Sequence, residues 1–236
     1  MKMKTRNSWA AALGLALAAC GPIESMEETQ APAQEEQGLM EAGCTALGPV
    51  VIGHACGHIN NGPYASVTAT SSSTDPSMPG INTTHTAYTV TLPGSGSSYT
   101  GTVKFVPNRT NSAWAFFVSS NITVVLKDAS GNTVTQAFSA PQAISQSGCG
   151  LSQVVVYNNL TKDATYRLTL GPSTSSTVQV IPERVEDNRV YYFQDADGDG
   201  YGNTNVFSLT ACTPPTGYVL DDTDCNDSNP AIHTGC

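Results

Sequence analysis

Positive charge is scarce: this chain of 236 residues carries ten Lys and Arg against nineteen Asp and Glu. Three of the ten (Lys2, Lys4, Arg6) stand at the extreme amino terminus, so from Cys20 onward seven basic side chains face all nineteen acidic ones. A surface of that sign excludes nucleic acid as a partner. The motifs of several large enzyme classes are also missing. No H-E-x-x-H, no G-x-S-x-G and no G-x-x-x-x-G-K occurs, and the three later lysines (Lys104, Lys127, Lys162) fall in strand or turn contexts. The sequence therefore reads as a non-enzyme. Cys56 between His54 and His58 is the remaining nucleophile-and-base combination, and it keeps a secreted hydrolase of unknown substrate as an alternative. Leu, Lys, Arg and Glu are too few for a helical protein, whereas Thr, Ser, Val, Gly, Pro and Asn abound, a composition that suits an all-β fold.

The one long apolar run, Trp9 to Ala19, is too short to span a bilayer as a helix. It follows the basic Lys2, Lys4 and Arg6 and ends in small residues before a cysteine, the layout of a secretory signal. Leu17-Ala18-Ala19-Cys20 resembles the bacterial lipobox. That resemblance implies cleavage before Cys20, diacylation of that cysteine and a membrane attachment through the lipid. Gly21 lacks the retaining aspartate of inner-membrane lipoproteins, which points to the outer membrane or cell surface. Residues 21–43 hold six Glu and no basic residue. They cannot bury enough apolar surface to fold alone and read as a flexible spacer.

From residue 44 to 184 short runs of β-branched and aromatic residues alternate with turn chemistry, the pattern of an antiparallel β-sandwich. The expected strands are 64–70, 85–92, 100–106, 113–119, 122–127, 132–137, 153–157, 165–170 and 177–181. The stretch ITVVLKDASGNTV (122–134) and the phrase ATYRLTL (164–170) resemble the pre-peptidase C-terminal domain, which implies a β-sandwich with a binding or accessory role, for a protein or polysaccharide ligand at the envelope.

Seven cysteines in an exported chain favour disulfides. Setting Cys20 aside leaves six, with fifteen possible pairings. Cys212 with Cys225 is the local choice, Cys56 with Cys149 would staple the sandwich, and Cys44 with Cys236 would close a long-range bridge. In Gly53-His54-Ala55-Cys56-Gly57-His58 the period of two would point His54, Cys56 and His58 the same way on an extended strand, and His85, opening the next strand, could join them. Imidazoles so gathered suit copper or zinc, although a disulfide-bonded Cys56 offers no thiolate.

The acidic end carries the sharpest pattern. Residues 190–236 hold seven Asp and no Lys or Arg. Asp195, Asp197 and Asp199 occupy loop positions 1, 3 and 5, followed by Gly200, the Tyr201 carbonyl at position 7 and Asn203 at position 9, the hard-oxygen arrangement calcium requires. Position 12, normally a bidentate Glu, is Val206, so further oxygens must come from the cluster at 221–227. The phrase YYFQDADGDGYGNTNVFSLTACTPPTGYVLDDTDCNDSNPAI (191–232) closely resembles the MopE-type metal-binding motif, akin to thrombospondin type 3 calcium repeats. The resemblance implies Asp195, Asp197, Asp199, the Tyr201 carbonyl, Asp224 and Asp227 as ligands, with Cys212 and Cys225 bonded; Asn226 replaces a usual Asp. Oxygen-only ligands argue for calcium.

The sequence thus predicts a signal peptide (1–19), a lipidated linker (20–43), a β-sandwich (44–184) and a small disulfide-linked calcium-binding loop module (185–236). Its expected role is that of a non-catalytic, calcium-stabilised surface lipoprotein. The alternative is copper or zinc capture through His54, His58 and His85.

Overall fold

The computed structural model describes residues 44–233. The signal segment, Cys20, the spacer and Cys236 lie outside the described residues. Among the described residues the chain forms one α-helix, α1 (Pro49–Asn61), one 3-10 turn (Val185–Asn188) and thirteen strands. These are β1 (Tyr64–Thr68), β2 (Ala87–Thr91), β3 (Gly94–Ser95), β4 (Ser98–Phe105), β5 (Ser112–Val118), β6 (Val124–Lys127), β7 (Gln142–Ala143), β8 (Gln153–Leu160), β9 (Tyr166–Ser173), β10 (Thr177–Arg184), β11 (Val190–Gln194), β12 (Asn203–Thr210) and β13 (Tyr218–Val219). They build a six-stranded sheet in the order β1-β2-β10-β5-β8-β7, a four-stranded sheet β3-β4-β9-β6 and a three-stranded sheet β12-β11-β13. Pairing is antiparallel throughout except between β1 and β2. No helix of the described residues is long and apolar enough to cross a membrane.

Strand periodicity explains the core. In β5 every residue is buried, because alternate side chains serve two different cores. Trp114, Phe116 and Val118 join Val103 and Phe105 of β4 and Leu168 and Leu170 of β9 in one cluster shared by the six- and four-stranded sheets. Phe105 meets both Trp114 and Phe116 edge to face, with centroids 4.9 Å apart, the arrangement aromatic quadrupoles prefer. Tyr157 pins the two sheets together inside this core: its hydroxyl accepts from the Leu126 N–H and donates to the Val124 carbonyl, both at 3.2 Å.

The other face of β5 presents Ala113, Ala115 and Phe117 to a second cluster containing Val51, Ala55, Cys56 and Ile59 of α1. Small alanines let the helix lie close, and its apolar residues recur at the spacing of one helical face. The helix corrects the extended conformation expected around residues 53–58, and the fold is largely β instead of all-β. Pro49 opens it and Gly62, at φ 78°, closes it by donating its N–H to the His58 carbonyl, the asymmetry of proline at the start and glycine past the end.

A second correction concerns residues 132–137, which form no strand. This segment bridges β6 at Lys127–Thr133 and β8 at Gln136–Tyr157. It crosses from one sheet to the other and cannot stay paired with either.

Two disulfides join pairs of described residues: Cys56–Cys149, as expected, and Cys44–Cys212. The latter overturns both the Cys212–Cys225 and the Cys44–Cys236 pairings. The physical reason is a backbone seam: Leu47 bridges Cys212, and the Gly48 N–H donates to the Ala211 carbonyl at 2.9 Å. This seam carries Cys44 to Cys212. Cys225 is itself disulfide-bonded.

Candidate metal centres

The helix changes what the histidines can do. At four residues' separation His54 and His58 lie on one face of α1, while Cys56, about 200° around the helix from His54, turns inward to its disulfide. His85 arrives from the turn before β2 with a left-handed backbone (φ 59°), a conformation that costs an L-residue about 1 kcal/mol and persists where surrounding structure imposes it.

The three rings converge. The Nε2 of His54 lies 3.0 Å from Nε2 of His58 and 3.1 Å from Nδ1 of His85. The Oε2 of Glu183, a residue of β10, lies 3.0 Å from the same Nδ1. All four ligand atoms fall within 4.8 Å of one another. In a tetrahedral zinc site with bonds near 2.05 Å, neighbouring ligand atoms stand roughly 3.3 Å apart. His58 is held in register by its other nitrogen, 3.1 Å from the Gly62 carbonyl, the outer-shell contact that orients a metal-binding imidazole.

Protons alone serve this arrangement poorly. A neutral imidazole has one donor and one acceptor, so His54 Nε2 can share a single proton with only one of its two facing nitrogens. Burial, followed by the proximity of His58 and His85, holds His54 below the ordinary histidine range, and burial followed by His58 does the same to His85. Glu183 is 1 % exposed. Burial pushes its carboxyl up to about 8, against the lowering effect of the nearby His85 backbone N–H and Asn188 side chain, and neither of its oxygens has a hydrogen-bond partner among the described residues. An ion pair would shift His85 up and Glu183 down; both move the other way, so desolvation outweighs their attraction. A divalent cation would satisfy every one of these groups.

Glu183 was not legible as a partner of the histidines. Its one sequence signal is a carboxylate among the apolar residues of β10, where Val178, Val180 and Ile181 are fully buried.

The acidic module gathers a second group. The loop between β11 and β12 folds around its own aspartates. Asp195 accepts from the N–H groups of Gly198, Asp199 and Gly200, and Asp199 accepts from that of Tyr201. Asp195, Asp197 and Asp199 form one cluster, and Asp197 forms another with Asp224 and Asp227. The second acidic segment reaches the loop because Gly202 has no side chain: a Cβ there would stand 2.6 Å from the Asp221 carbonyl oxygen. The Asp224 N–H then donates to the Gly202 carbonyl at 3.0 Å.

Three oxygens, Asp197 Oδ2, Asp199 Oδ2 and Asp224 Oδ2, are buried without a hydrogen-bond partner among the described residues. Burial, then the charge of Asp199, raises the Asp197 carboxyl, with Asp224 and Asp227 adding to it. The ring of Tyr201 stacks on His233 with centroids 4.1 Å apart. No family model matches the chain, and no curated protein matches it.

Proposed function

We propose that this protein is a lipid-anchored envelope protein whose β-sandwich holds a transition-metal ion through His54, His58, His85 and Glu183. The observation that carries the reading is the convergence of three imidazole nitrogens and one buried carboxylate oxygen within 4.8 Å. Four protein ligands close a tetrahedral shell and leave no position for substrate, so the centre captures or stores metal, or braces the fold, and turns nothing over. Nitrogen-rich tetrahedral ligation favours zinc, with copper(II) as the tighter-binding competitor.

Isothermal titration with zinc, copper(II) and calcium tests the reading. Zinc or copper should bind at one site that His54→Ala, His85→Ala and Glu183→Gln each weaken at least tenfold. Undiminished binding in these variants would refute it. The lipid anchor is tested separately by mass spectrometry of the mature amino terminus, which should carry the acyl groups on Cys20 and lose them in Cys20→Ala.

A second ion, calcium, is supported in the acidic module by the three unpartnered carboxylate oxygens of Asp197, Asp199 and Asp224. Asp195, Asp227 and the Tyr201 carbonyl complete the ligand pool. Calcium there would order the module without involving the histidines, so the two ions should titrate independently.

A further inference from the structure

The seven basic residues from Cys20 onward are not spread evenly over the fold. In the four-stranded sheet Lys104 of β4 is in register with Arg167 of β9, and Arg167 is in register with Lys127 of β6. Three cationic side chains therefore stand side by side across three strands, each half-buried. Like charges directly opposite one another destabilise a sheet. Among the described residues none of the three has a carboxylate within ion-pair distance, and the Arg167 guanidinium is committed only to the carbonyls of Asp128 and Ala129, at 2.9 Å each.

Beside this row lies a cavity of about 220 Å³ lined by Ser73, Thr74, Asp75, Lys104, Thr165 and Arg167, with Met78 buried among its walls. Its outer wall is fixed to β4 by backbone hydrogen bonds, Lys104 N–H to the Pro79 carbonyl at 2.8 Å and Ile81 N–H to the Lys104 carbonyl at 2.9 Å. An enclosed cavity of about 150 Å³ takes a benzene ring; this cleft, open to solvent at the exposed Ser73, Thr74 and Thr165, has room on the scale of a six-membered ring with substituents. Asp75 presents one oxygen, Oδ1, to Ser77; its other oxygen has no hydrogen-bond partner among the described residues and is free to accept.

From this set of groups we infer a binding site for an acidic sugar: Lys104 and Arg167 take its carboxylate or phosphate, and Asp75, Ser73, Thr74 and Thr165 take its hydroxyls. A bare anion would be repelled by Asp75 and would leave the hydroxyl-lined part of the cavity unmatched. A neutral sugar would leave the cationic row uncompensated. The site shares no residue with the histidine cluster or the acidic module, so it stands whether or not either binds metal.

The test is titration of the purified protein with glucuronic acid, glucose 6-phosphate, glucose and inorganic phosphate, followed by calorimetry and by chemical shifts of the Thr165 and Arg167 amides. The acidic sugars should bind at least tenfold tighter than glucose and than inorganic phosphate. Lys104→Gln should cost at least tenfold, and Asp75→Asn should weaken glucose 6-phosphate while leaving inorganic phosphate unchanged or tighter. Lys104 makes no side-chain hydrogen bond among the described residues, so its replacement should leave the fold intact. An unchanged melting temperature confirms that. Soluble polyuronate and vesicles carrying an acidic glycolipid then separate a free polymer from a membrane-linked sugar as the source. Equal affinity for phosphate and glucose 6-phosphate, undiminished binding in Lys104→Gln, or no binding to any acidic sugar would overturn the inference.

Discussion

Loading the histidine cluster with zinc should raise the melting temperature of the purified protein by about 5–11 °C. The ligands belong to three separate segments: His54 and His58 to α1, His85 to the turn before β2, and Glu183 to β10. An ion bound among them forms only in the folded chain, so it stabilises by mass action. Free metal at 100 times its Kd contributes about 2.7 kcal/mol, and for a domain of this size each kcal/mol moves the transition by about 2–4 °C. Calorimetric scans with zinc, magnesium or chelator supply the comparison. His54→Ala should abolish most of the shift, because its Nε2 touches both other imidazoles, whereas His233→Ala should retain it. An equal shift from magnesium, or a full zinc shift in a variant lacking His54, His58 and His85 together, would refute the reasoning.

Other expectations follow from the core and the acidic module. Tyr157, its hydroxyl pushed up to about 12 by burial, keeps its proton in the folded chain where an unfolded tyrosine near 10 has lost it. The stabilisation is complete below pH 10 and is lost as pH rises through 12, about 2–3 kcal/mol in all. Denaturant titrations at pH 7 and pH 11.5 should show that loss, and Tyr157→Phe should flatten it while costing about 1–2 kcal/mol at pH 7. Replacing Cys56 and Cys149 by alanine opens a loop spanning 93 residues and should cost about 4–5 kcal/mol in the chain-entropy account, read from the unfolding midpoint. Gly202→Ala puts a Cβ against Asp221 and Phe193; it should weaken calcium binding at least tenfold by calorimetry and leave zinc binding unchanged.

Strand alternation made most of the fold readable. Tyr88-Thr89-Val90-Thr91 and Val103-Lys104-Phe105 announce one buried face each, and their strands lie within a residue or two of the expected bounds. The helix is not legible in the sequence, which suggests an extended stretch over residues 53–58, because Val50, Val51 and Ile52 are β-branched and Gly53 and Gly57 disfavour helix; packing of Val51, Ala55 and Ile59 on the sheet overrides those preferences. His54, His58 and His85 could still be grouped, since imidazoles are few. Glu183 could not, because its place beside them depends on β10 lying next to β2, a pairing no local pattern encodes. The Cys44–Cys212 bond escaped for the same reason. Short sequence separation favoured Cys225, while the β-bridge that decides the matter joins residues far apart in the chain.

That bond spans 168 residues, and it has a practical bearing on limited proteolysis of the chain. A single cut anywhere between Cys44 and Cys212 severs the polypeptide yet leaves both fragments covalently attached. A nicked molecule would keep its terminal aspartate-rich segment, migrate as intact on a non-reducing gel, and separate into two pieces only after thiol treatment.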